Sequence, residues 1–139
     1  MADKGYQQEY GEMNRDDWEF DYTASVLATA AETQRDYRWT RVTEWESQKE
    51  IVMARIKESG LTIHETVAAG MQNYTTSNVG GPQIMIDATM QRDLNECASK
   101  IAIHRNSATE YDSWAQVLNA NPAARLKLKH NDWMYFFGK

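Results

Sequence analysis

Glu12–Ser59 reads EMNRDDWEFDYTASVLATAAETQRDYRWTRVTEWESQKEIVMARIKES, 48 residues without a glycine or a proline. Glycine ends helices through backbone freedom and proline through its missing N–H, and both are absent from about a third of the chain. Gln83–Asn121 is a second run without either residue. Both stretches predict long helices whose apolar stripes need partners.

Within the first run, Asn14 reads as an N-cap, and Asp16, Asp17 and Glu19 complement the dipole of the turn that follows. Phe20, Ala24, Leu27 and Ala31 fall on one helical face, with Trp18, Tyr22 and Val26 beside it. The many small alanines on this segment let another helix approach closely. Farther on, Arg35, Arg38, Val42, Trp45, Lys49, Val52 and Ile56 follow alternating three- and four-residue steps, a heptad seam with charged interruptions. Two topologies fit: one long helix, or an antiparallel pair that folds back near Arg35–Tyr37. The break is favoured, because very long helices are rare in compact domains of this size.

Gly60 sits where a helix-ending glycine belongs. Thr62 and Glu65 then have capping-box spacing, which predicts a short helix burying Ile63, Val67 and Met71. Residues 70–82 read as a loop long enough to be functional. Gln83–Ile86 suggests a brief strand, and Asp87 a cap for the next helix. On that helix Met90, Leu94, Cys97, Ile101 and His104 form an unbroken stripe. A second capping-box match at Ser107–Glu110 predicts a new helix carrying Tyr111, Trp114 and Leu118. Asn121 and Pro122 predict a further start, an N-cap followed by proline at the first helical position.

The resulting expectation is an all-α protein, an irregular bundle of four to six helices. Residues 1–12 form a loose arm, residues 13–139 a single helical domain, and residues 131–139 an aromatic tail. The chain has 139 residues, with five tryptophans and seven tyrosines, a ring content foreign to disordered chains. The formal charge of −5 opposes wholesale coating of nucleic acid. Charge is uneven: seven acids occur in the first 21 residues, and Arg125, Lys127, Lys129 and His130 form a basic run. The favoured reading is a solvated face at each end; the sharper one is that one end attracts the other, within a chain or between copies. Cys97 is the sole cysteine, so no disulfide framework is expected. There is no leader pattern and no apolar run of transmembrane length, which leads to the expectation of a soluble, cytoplasmic protein that does not engage membranes.

For partner binding, the strongest signal is Trp133-Met134-Tyr135-Phe136-Phe137, because five consecutive large apolar side chains cannot all face one core from one short element. The favoured reading of the same segment is a tail docked across the domain's own core, and docking onto another chain is its alternative. Val42, Trp45, Val52 and Ile56 on the interrupted seam join this segment as candidate contacts. Arg35, Arg38 and Arg41, interleaved with Tyr37, Trp39 and Trp45, suggest phosphate pairing with base stacking, although Asp36, Glu44 and Glu46 stand among them. A bland account of that stretch is intrahelical ion pairing with buried tryptophans.

His104 lacks convergent ligands, His64–Glu65 lacks the second histidine of a zincin helix, and Gly80-Gly81-Pro82 lacks the Lys-Ser/Thr of a phosphate loop. No catalytic residue, metal or cofactor is therefore expected, and an enzyme only if its site assembles from distant residues.

The function expected is an interaction or assembly module whose partner is a copy of itself or another protein. By analogy of general shape alone, small acidic helical oligomers recur among viral assembly and packaging components, whose setting is the host cytoplasm or a virion. A nucleic-acid accessory protein using Arg35, Arg38, Arg41 and Trp39 is the alternative. A ligand or catalytic pocket under residues 70–82 is the third reading.

Overall fold

The computed structural model describes residues 18–68, 71–77 and 85–138. Among these there are three helices and two small antiparallel sheets: β1 (Glu19–Thr23), α1 (Ala24–Glu58), β2 (Thr62–Ala68), β3 (Met71–Ser77), α2 (Met85–Asn119), β4 (Arg125–Lys129) and α3 (His130–Phe137). This overturns the all-α bundle of four to six helices. The expected arm at residues 1–12 and the proposed cap at Asn14 lie outside the described residues, as do residues 78–84. Two compact units divide the chain, Met1–Arg35 with Glu110–Lys139, and Asp36–Thr109, and each long helix contributes to both.

In the first unit, β1 pairs with β4 in the register Glu19↔Lys129, Phe20↔Leu128, Asp21↔Lys127, Tyr22↔Leu126 and Thr23↔Arg125. Alternation in both strands puts Phe20, Tyr22, Leu126 and Leu128 on one face and the charged residues on the other. On the charged face Arg125 meets Asp21 at 3.2 Å and Lys129 meets Glu19 at 3.4 Å. The acidic and basic ends thus join within one chain. Phe20 and Tyr22 are strand residues, not the start of a helix, and Pro122 precedes a strand instead of opening a helix.

The first-turn amides of α1, which have no acceptor within the helix, find acceptors nearby. Ala24 N donates to Ala124 O at 2.7 Å, Ser25 N to Pro122 O at 3.0 Å, and Val26 N to Thr23 Oγ1 at 3.4 Å. Leu27, Ala28 and Ala31 pack on Tyr111, Ala115 and Leu118 of α2, and Leu128 and Phe136 close the core.

In the second unit, α1 continues through Arg35–Tyr37 without the expected break. It ends at Gly60, whose φ of +78° suits glycine. Gly60 N donates to Lys57 O at 3.0 Å and Leu61 N to Ile56 O at 3.3 Å, a Schellman pattern reinforced by Leu61 and Ile56 sharing one core cluster.

The short helix expected after Thr62 is instead β2, paired to β3 with Ala68↔Met71 flanking a two-residue connection. Thr62, Ile63 and Val67 are β-branched, as are Thr75 and Thr76 on β3, and such side chains favour a pleated surface. The capping-box spacing places Glu65 across from Tyr74, not at a helix start. Residues 71–77 of the expected loop are β3. Met85 and Ile86 begin α2, and Ser107–Glu110 lies inside it, so a capping-box pattern without a breaker starts no new helix.

Candidate interaction groove

The β2–β3 hairpin is fastened to one side of α2 through side-chain amides. Asn95 Oδ1 accepts from Tyr74 N at 2.6 Å, and Asn95 Nδ2 donates to Tyr74 O at 2.8 Å. One turn away, Gln91 Oε1 accepts from Thr76 N at 3.3 Å. The two amides act as a partner strand for the free edge of β3. Tyr74 is buried against Ile56, Leu61, Leu94 and Ala98. Its hydroxyl shares its proton between Gln72 Oε1 at 2.9 Å and Glu65 Oε2 at 3.2 Å. Burial, with the Glu65 carboxylate second, pushes the phenol up to about 12.

The opposite side of the same helix pair carries an open groove of about 480 Å³. Trp45, Val52 and Cys97 lie at its base. Arg41, Glu44, Gln48 and Arg55 border it on α1, and Asp93 and Glu96 on α2. Helical spacing explains the division, because Asp93 and Glu96 lie well around α2 from Gln91, Asn95 and Ala98. Extended along each helix at three- and four-residue steps, the groove face includes Tyr37 and Ile51 on α1, and Lys100 and Ile103 on α2. Tyr37 is 50% exposed, Ile51 47% and Ile103 51%.

Charges on this face follow a pattern. Arg41 is paired with Glu44. Among the described residues, Arg55, Asp93, Glu96 and Lys100 form no ion pair. The Cys97 thiol is pushed up by burial first and by Glu96 and Asp93 next, which keeps it protonated and unreactive. Deeper between the helices, Arg38 Nη1 lies 2.9 Å from His104 Nδ1. Burial, then Arg38, Arg41 and Lys100, lower the His104 pKa while Glu44 opposes them, so the ring is held neutral and accepts from the guanidinium.

The residues expected to bind partners are distributed differently from expectation. Val42, Val52, Ile56 and Phe136 are buried in the chain's own cores. Trp133 stacks on Phe20 at 5.2 Å and donates from Nε1 to Tyr22 Oη at 3.1 Å, and Tyr135 stacks on Tyr111 at 4.5 Å. Phe137 packs on Tyr22, with ring centroids 4.9 Å apart. Of the tail, Met134 is exposed, and Trp45 is half-buried at the groove base. The aromatic tail is placed as α3 across the β1–β4 ribbon, where its side chains reach both the strands and the helices.

Of the proposed nucleic-acid residues, Arg35 pairs with Asp112 at 2.8 Å in the first unit, Arg38 with His104 and Arg41 with Glu44 in the second. Trp39 is exposed on the side of α1 away from the groove. No group of three or more His, Cys, Asp or Glu suited to a metal ion occurs among the described residues. None of the described helices is long and apolar enough to cross a membrane.

The sequence reading missed the groove face. The signal was a second heptad register in α1, Tyr37-Arg41-Glu44-Gln48-Ile51-Arg55, offset from the buried seam, with Asp93-Glu96-Lys100-Ile103 answering it in α2. Comparison with protein-family models, with curated proteins and with solved structures gave no match.

Proposed function

We propose that this protein is an assembly module that associates with copies of itself through its second unit. One observation carries the reading: Tyr37, Ile51 and Ile103 remain about half exposed on the face of the helix pair that the hairpin leaves uncovered. Two antiparallel helices bury one stripe each, and a bundle gains stability when further helices cover the second face. Large side chains repeated at heptad spacing between charges are suited to a helix–helix contact, with the apolar residues buried and the charges at the rim.

The test is a chain with Tyr37→Ser, Ile51→Ser and Ile103→Ser, studied by sedimentation equilibrium beside the unaltered chain. All three side chains are half exposed, so far-UV circular dichroism should be retained. The reading predicts an association constant at least about tenfold weaker for the variant. Equal association by both chains would move the contact elsewhere, and a monomeric unaltered chain would end the reading.

A further inference from the structure

Resting on that reading, we infer that the occupant of the groove is a second copy in which α1 of one chain lies along α2 of the other, related by a two-fold axis parallel to the helices. The charges select this arrangement. At the hairpin end of the face α1 presents Arg55 at the level where α2 presents Asp93 and Glu96, and all three border the same groove. A rotation about an axis parallel to the helices keeps each level in place and exchanges α1 for α2. Arg55 then meets the carboxylates of Asp93 and Glu96 on the other copy.

Because the contact is isologous, each pairing occurs twice. The alternative two-fold, perpendicular to the helices and lying in the face, sets α1 against α1, and with its axis at Gln48, midway along the groove lining of α1, it brings Arg55 toward the level of Arg41. The like charges disfavour it. Within one chain, Arg55, Asp93, Glu96 and Lys100 make no ion pair among the described residues, which leaves them available to a second copy. The steps of three and four along Tyr37-Arg41-Glu44-Gln48-Ile51-Arg55 and Asp93-Glu96-Lys100-Ile103 are those of helices packed side by side along their length, in either direction. The apolar members supply the buried contact, and the charged members set its direction.

The arrangement makes a prediction peculiar to it. A chain with Arg55→Glu sets a carboxylate at position 55 against Asp93 and Glu96 in its own homodimer. A chain with Asp93→Arg and Glu96→Arg instead sets Arg55 against two arginines. Each should associate about tenfold or more weakly than the unaltered chain. Mixed in equal amounts, the two variants bring opposite charges together where α1 of the first meets α2 of the second, and they should recover association as a heterodimer.

Sedimentation equilibrium of each variant and of the mixture gives the answer, with circular dichroism confirming that these surface substitutions leave the helices intact. Weakening of the separate variants with recovery on mixing supports the arrangement. Weakening without recovery overturns the placement of α1 on α2. Variants that associate as the unaltered chain does remove the groove from the contact but leave self-association standing. An unaltered chain that stays monomeric ends both.

Discussion

Asn95 and His104 show how single side chains of α2 decide what packs around it. Asn95 presents an acceptor and a donor to one buried residue, doing for Tyr74 what a neighbouring strand would do. Asn95→Ala would leave a buried amide and a buried carbonyl unpaired, at a cost of about 1–3 kcal/mol for each group left unsatisfied. A lowered urea midpoint and faster exchange of the Tyr74 amide hydrogen are the expected readouts, and an unchanged exchange rate would show that the bracket is not maintained in solution. His104 gives a pH dependence. Its pKa is lowered from the ordinary 6.5 by burial and by the cations of Arg38, Arg41 and Lys100. The unfolded chain therefore takes up a proton at higher pH than the folded one. The contribution of His104 is fully present above 6.5 and is lost as pH falls from there through the lowered folded value. His104→Gln retains an acceptor for Arg38 but does not titrate. Between about pH 7.5 and about pH 5.5 the urea midpoint should fall more for the unaltered chain than for this variant.

At the scale of elements, the β1–β4 ribbon separates two kinds of contribution. Leu128 is buried on its inner face, and Leu128→Ala is expected to cost about 2–5 kcal/mol. The ion pairs on the outer face are half exposed, so Glu19→Gln with Asp21→Asn should change stability by no more than about 1 kcal/mol per pair. Chemical denaturation of both variants measures the contrast. The continuity of α1 has its own test. Asp36→Pro removes a helical amide and sets a ring against the preceding turn, at about 3 kcal/mol or more. A chain that broke near Arg35–Tyr37 would accept proline there at little cost.

These elements also show what was legible in the sequence. The absence of glycine and proline marked both long helices, and the inward seams were readable because 3.6-residue periodicity is a local property. Gly60 was readable because its conformation requires it. The strands were hidden for different reasons. Arg125-Leu126-Lys127-Leu128-Lys129 alternates strictly, yet its partner β1 lies about a hundred residues earlier in the chain, and no local pattern declares that pairing. The Thr62–Glu65 spacing satisfied a helix-start rule, but the β-branched residues around it and the amides of Gln91 and Asn95 decided for a strand. At the candidate site, the charged heptad of Arg41, Glu44 and Arg55 was present in the sequence. Its exposure followed only from knowing which side of α2 the hairpin covers.

For the whole molecule, the distribution of aromatic and apolar groups sets the functional account. The tail that drew attention as a partner surface closes the first unit's own core, with only Met134 strongly exposed. Both units leave large apolar side chains exposed on helix faces, Val26, Trp114 and Val117 in the first and Tyr37, Ile51 and Ile103 in the second. Those of the second stand beside Arg55, Asp93, Glu96 and Lys100, which form no ion pair among the described residues. Light scattering behind gel filtration, over a wide range of loading concentrations, tests self-association through the second unit's face. The molar mass is expected to settle at a higher whole-number multiple of 16.0 kDa as concentration rises. A mass that stays at 16.0 kDa throughout would contradict it.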